Sequence, residues 1–264
     1  MNKKASYPFF LLFAVLLYSS CEKVVDLKLK ESSALLVIEG NITNEIDTQG
    51  VKISQTTLFS DPNVFPAVAT AVVTVKDDDG IVYNFRYRGG GIYSSRRFKG
   101  IPGHTYSLKV VNDGTEYTAT STMPSQVAMD SIGVLSTSVF GNERKSVQLL
   151  FKDPAGVPNY YRFALKINGI RSSSIFVFSD DFNDGKNVTR ELVDFDTDLK
   201  SGDKIDIEVQ GIDAVVYRYW MGLDQNSSRG GASTTPANPV TNISNGALGY
   251  FSAHTKQSES LFIP

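Results

Sequence analysis

Short runs of β-branched and aromatic residues recur along this chain. Each is closed by glycine, aspartate or asparagine, and all but one lack the period a helix needs. The clearest case is Val72-Val73-Thr74-Val75, followed by Asp77-Asp78-Asp79-Gly80 and then a second apolar run over residues 81–87. An Asp-Gly pair between two such runs suits a tight hairpin, because glycine takes the positive φ that the turn demands. Asn112-Asp113-Gly114 plays the same part between Val110-Val111 and Tyr117-Thr118-Ala119-Thr120. Val51-Lys52-Ile53-Ser54-Gln55, residues 160–167 and Lys204-Ile205-Asp206-Ile207-Glu208-Val209 alternate with period two, the mark of a strand with one buried face. This spacing predicts a mainly β fold of two β-sandwich modules, immunoglobulin-like or transthyretin-like. Met123-Pro124-Ser125 punctuates the chain and places their boundary, giving modules over residues 34–124 and 125–264.

One short helix near the C-terminus interrupts the pattern. Ile212, Val215, Val216, Tyr219, Trp220 and Leu223 form a single apolar stripe at helical period. Asp213 falls in the first turn, where a negative charge suits the helix dipole, and Gly222 marks the stop. Residues 227–238 form a polar loop, and Asn245-Gly246-Ala247-Leu248-Gly249-Tyr250-Phe251 is a last strand packing back on the sheet.

The N-terminus carries a different signal. Lys3 and Lys4 precede an apolar run over residues 8–17, and Ser19-Ser20 leads to Cys21, the one cysteine of the chain. The run is too short for a membrane span and matches a secretory leader over residues 1–20. A cysteine after small residues resembles a bacterial lipobox, although Tyr18 stands where such boxes carry Leu or Val. That resemblance implies cleavage before Cys21, a diacylglycerol on its thiol and a fatty acyl group such as palmitate on its amine. Two or more acyl chains hold a protein stably on a membrane, with residues 21–33 as tether. The alternative is an ordinary cleaved leader followed by a free thiol.

With a lone cysteine no internal disulfide forms, so stability rests on burial; 41% hydrophobic residues, with 16 Phe and 12 Tyr, suffice for a packed core. A net charge of −2 and the absence of a basic patch interleaved with aromatics argue against nucleic acid. Two histidines, His104 and His254, do not provide a multi-histidine metal centre. There is no G-x-S-x-G elbow, Gly89-Gly90-Gly91 opens no helix, and the scattered carboxylates offer no distinguishable pair. The expectation is a non-enzymatic protein without a cofactor.

Two features are candidates for binding. In the acidic loop Asp180-Asp181-Phe182-Asn183-Asp184-Gly185, an EF-hand frame sets Asp180, Asp184 and Glu191 at ligand positions. Phe182 then occupies a position that needs oxygen, and the flanks are strands, so an EF-hand is excluded. An irregular calcium site from Asp180, Asp184 and Glu191, joined by Asp194, Asp196 or Asp198, stands beside a solvated hairpin loop as a reading. Tyr160, Tyr161 and Tyr217 are candidate contacts for a ligand or partner, whereas Tyr219 and Trp220 lie on the stripe that packs inward.

A family resemblance runs through several stretches taken in order. These are Leu36-Val37-Ile38-Glu39-Gly40-Asn41-Ile42-Thr43-Asn44, Pro102-Gly103-His104-Thr105-Tyr106, Met123-Pro124 with Asp130-Ser131-Ile132, and Asp153-Pro154 with Asn159-Tyr160-Tyr161-Arg162. Gly202-Asp203, Tyr219-Trp220, Asn238-Pro239-Val240, Asn242-Ile243 and Gly246-Ala247-Leu248-Gly249-Tyr250-Phe251 complete the series. Together they resemble a family of Gram-negative outer-membrane lipoproteins classed as domain of unknown function 4249. A Gly-Leu-Gly-like ending is here lengthened by one residue. The resemblance implies an outer-membrane accessory of a TonB-dependent receptor of the kind that imports glycans, peptides or metal complexes, either binding its ligand or assisting its assembly. It brings no catalytic residues with it. The alternative is an autonomous surface lipoprotein that binds glycans or peptides or acts in adhesion. Glu22 after the cysteine suits outer-membrane sorting and leaves the periplasmic or surface face open.

Overall fold

Asp113 and Gly114 alone join two long strands, with φ of 48° and 77°, the paired positive angles whose twist matches the strands of a hairpin. Those strands are β6 (Thr105–Asn112) and β7 (Thr115–Thr122). The second expected hairpin joins β3 (Val72–Lys76) to β4 (Val82–Gly89) through Asp77-Asp78-Asp79-Gly80. This computed structural model describes residues 34–57, 64–139, 142–194, 196–227 and 237–264. The leader, Cys21 and the tether lie outside the described residues.

The fold is mainly β. β1 (Leu36–Thr43) alternates buried and half-buried along its whole length and pairs antiparallel with β2 (Asp47–Gln55), which pairs in turn with β5 (Ile92–Phe98). The inward residues Ile38, Ile42, Ile53, Val75, Tyr93 and Leu108 pack with Phe251 in a first core. A second core lies between two sheets. One face comes from β10 (Tyr160–Ile167) and β14 (Lys204–Ile212), whose odd-numbered residues Phe163, Leu165, Ile205 and Ile207 point inward. The other face is a three-stranded sheet of β8 (Met129–Val139), β9 (Asn142–Lys152) and β13 (Asn187–Leu192), which contributes Val147, Leu149 and Leu192.

The last strand ties the cores together. β15 (Leu248–Phe262) pairs parallel with β1 from Leu248 to His254, then antiparallel with β14 from Thr255 to Phe262. Phe251 and Ala253 belong to the first core, and Ile263 just beyond the strand belongs to the second. Residues 34–264 therefore form one compact unit. The modules expected on either side of Pro124 and Ser125 lie within this unit, and Ile243, Ala247, Phe251 and Ala253 of the later one pack in the first core. The strand also runs well past Phe251, where the sequence pattern ended it.

The helix, α1 (Ala214–Ser227), follows β14 directly. Asp213 sits before its first residue, and its Oδ1 accepts from the backbone N–H of Val215 at 3.0 Å and Val216 at 2.8 Å. It is thus an N-cap, not a first-turn residue, and it satisfies donors the helix leaves unpaired. Its other oxygen accepts from Ser121 Oγ at 2.5 Å, fixing the helix start to β7. α1 continues past Gly222, which lies against Pro239 with 3.3 Å of room for a Cβ, so Gly222 serves a close contact and not a stop. No helix among the described residues is long and apolar enough to cross a membrane.

Candidate functional site

Because β10 and β14 send their odd-numbered side chains into the second core, their even-numbered residues form the opposite face, and most of these are polar. Register sets Arg162 opposite Gln210, Ala164 opposite Glu208 and Lys166 opposite Asp206. β15 continues the rows with Lys256 opposite Gln210, Ser258 opposite Glu208 and Ser260 opposite Asp206. Ala164 has only a methyl group, so the middle row is low. The result is a trough of about 350 Å³, closed on its β1 side by Asn41, Tyr250 and His254.

Aromatics of α1 pack beside this face. Trp220 and Tyr219 pack on Tyr250, with ring centroids 5.1 and 5.0 Å away. The Arg162 guanidinium lies over the Trp220 ring at 3.8 Å. Arg162 is only 8% exposed. Among the described residues its side chain makes one hydrogen bond, Nη1 donating to Gln210 Oε1 at 2.8 Å, and pairs with no carboxylate. Burial pushes its pKa down to about 10, with the neighbouring Tyr250 opposing that shift. It remains a cation at neutral pH, compensated in part by the indole face.

The acids of the trough have their own partners. Asp206 pairs with Lys204 at 2.7 Å and accepts from Ser260 Oγ at 2.5 Å. Glu208 lies 3.5 Å from Lys256 Nζ and accepts from Gln210 Nε2 at 2.5 Å. Burial works against the Glu208 charge, but Gln210 and Lys256 outweigh it and hold the carboxyl below its ordinary value. His254 is buried, with Nδ1 3.0 Å from Ser252 Oγ, and burial pushes its pKa down to about 4. A base that weak, beside a hydroxyl that is 1% exposed, is poorly suited to activate a nucleophile.

The acidic loop has a different geometry from the one its sequence suggests. β12 (Phe176–Ser179) pairs with β10, and β13 pairs with β9, so residues 180–186 cross between sheets and close no hairpin. Asp180 and Asp184 come together with Asp153, all three offering oxygens within 4.8 Å of one another. Glu191 is not in this group: it lies on β13 and accepts from Ser146 Oγ at 2.5 Å. Three carboxylates are the ligand type of a hard divalent cation. Here Asp153 accepts from the Tyr161 hydroxyl and from Gly185 N, Asp180 from Asn159 N, and Asp184 from Gly156 N. These bonds account for the cluster as a clasp between two loops.

The three candidate tyrosines part company. Tyr161 is 3% exposed, packs on Phe151 and Phe163, and donates to Asp153, so it belongs to the second core. Burial, reinforced by that carboxylate, raises its pKa well above the ordinary tyrosine value. Tyr160 and Tyr217 are half-buried against each other, centroids 5.0 Å apart, beside the helix. Sequence reading missed Arg162, Glu208 and Gln210 as neighbours. Their even-numbered spacing on two alternating strands was visible, but the register that aligns them was not.

Fold and trough together define a β-sandwich protein with a polar recess of about 350 Å³, in which Arg162 is stacked on Trp220. The chain belongs to the family described as Domain of unknown function (DUF4249), which it matches over residues 22–260. No curated protein matches it.

Proposed function

We propose that this protein is a lipid-anchored accessory of a TonB-dependent receptor in the outer membrane, binding the imported ligand or assisting assembly without catalysing a reaction. The observation that carries this reading is Cys21, the single cysteine, placed after two serines and an apolar leader run. Acyl chains on that residue would keep the folded unit beside a membrane receptor. The second reading is an autonomous surface protein that captures glycans or peptides, and the polar recess at Arg162 favours it.

Extraction of the native membrane in mild detergent, with a C-terminally tagged chain as bait, separates the two. The first reading predicts a TonB-dependent receptor in near-equal amount with the bait, and loss of that receptor in Cys21→Ser. Recovery of the chain alone, under conditions that keep other receptor complexes whole, contradicts the accessory role.

A further inference from the structure

A buried guanidinium ordinarily faces a carboxylate, because taking a charge out of water is unfavourable unless it is paired. Arg162 breaks that rule. Its five donors meet one protein acceptor, Gln210, although Glu208 sits on the same face. The sealed side-chain nitrogens without a partner among the described residues belong to His104 and Arg190, so the remaining Arg162 N–H groups open into the trough. Two more cations, Lys166 on β10 and Arg171 on β11 (Ile170–Arg171), stand opposite each other in register at its exposed end. Asp206, in contrast, is matched by Lys204 at 2.7 Å, and Glu208 shares Lys256 with Glu45, at 3.5 and 2.8 Å.

We propose that this trough is a binding site for a carboxylate-bearing small molecule, its oxygens taken by the free N–H groups of Arg162 with Arg171 assisting. A guanidinium fork fits a planar carboxylate with two parallel hydrogen bonds. A doubly charged phosphate is a worse fit, since Glu208 shares the recess and would repel it. A volume of about 350 Å³ accommodates the end of a short peptide or a sugar acid. Such a site serves a receptor partner and an autonomous binder alike.

Trp220 is the one tryptophan of the chain and lies on Arg162, so its fluorescence reports on the site. The full chain in detergent would be titrated with N-acetyl-glycylglycine, with the C-terminal amide of the same peptide, with glucuronate and with inorganic phosphate. The expected result is a saturable change in emission with the free peptide acid, with glucuronate, or with both. The amide and phosphate should bind at least tenfold more weakly, since each lacks a singly charged planar carboxylate. A response to the peptide acid alone assigns the site to peptide ends; a response to glucuronate alone assigns it to acidic sugars. Arg162→Gln should weaken binding tenfold or more. Arg171→Gln, at an exposed position that leaves folding intact, should weaken it several-fold. No saturable response to either acid up to about 10 mM, equal binding of the amide or of phosphate, or unchanged affinity in Arg171→Gln and a folded Arg162→Gln would each overturn the proposal.

Discussion

Replacing Gly249 with alanine should destabilise the protein by about 3–5 kcal/mol, enough to remove much of a typical domain's stability. Two effects combine at this position. Its φ is +97°, a region that side-chain-bearing residues reach only under strain. A Cβ there would also meet the carbonyl oxygen of Ile38 at 2.1 Å. That carbonyl belongs to β1 at the residue paired with Gly249, so neither strand can yield without losing their parallel ladder. Gly114 supplies the control. Its φ is +77° but a Cβ would meet nothing within 4 Å, so Gly114→Ala should cost only about 1 kcal/mol of backbone strain. Urea unfolding of both variants checks this. Because β15 serves both cores, the larger loss should appear as one shifted transition by tryptophan emission and by circular dichroism alike. Equal midpoints for the two variants would mean that the β1–β15 contact does not hold the fold together.

Acid should weaken the fold through His254 before most carboxylates titrate. In the unfolded chain this imidazole takes up a proton around its ordinary value of 6.5; in the folded chain burial delays that step to about 4. Between those values the unfolded state binds more protons, so stability is complete above pH 6.5 and falls as pH drops toward 4. The loss should reach about 3 kcal/mol by pH 4. His254→Gln removes the titration and should flatten the curve over this window. Glu208, whose carboxyl is held below its ordinary 4.5, contributes in the same direction only at the acid end. Urea midpoints measured between pH 7 and pH 4 give the slope. An unchanged slope in His254→Gln would remove this residue as its source.

The strands closed by Asp-Gly turns were legible because the information is local: Asp113 and Gly114 need only their own backbone angles to form the turn. The alternation of Lys204-Ile205-Asp206-Ile207-Glu208-Val209 likewise revealed a half-buried strand, and β14 has that form. What escaped was everything set by pairing. The pattern 255–262 on β15 reads as polar, yet it is a strand because β14 supplies its hydrogen bonds, and Lys256, Ser258 and Ser260 line the trough. Asp153 joins Asp180 and Asp184 across two loops that the chain separates, whereas the nearer Glu191 is drawn into the ladder with β9, opposite Gln148. Tyr161 stood beside Tyr160 as a candidate contact, but adjacent strand residues point to opposite faces, and Asp153 accepts its hydroxyl on the core side. Arg162 stands within a family motif, but the register that sets it opposite Gln210 and not a carboxylate is not readable from that motif.

Attachment through Cys21 underlies the whole functional reading, and metabolic labelling tests it most directly. Cells expressing the full chain would be fed alkyne-tagged palmitate, fractionated, and the chain recovered for detection of the tag and sequencing of its N-terminus. Lipid attachment predicts label on a chain that begins at Cys21, recovery in the outer-membrane fraction, and loss of both label and membrane recovery in Cys21→Ser. A chain that carries no label and leaves the membrane with the soluble fraction, or one that retains its label in Cys21→Ser, would contradict it.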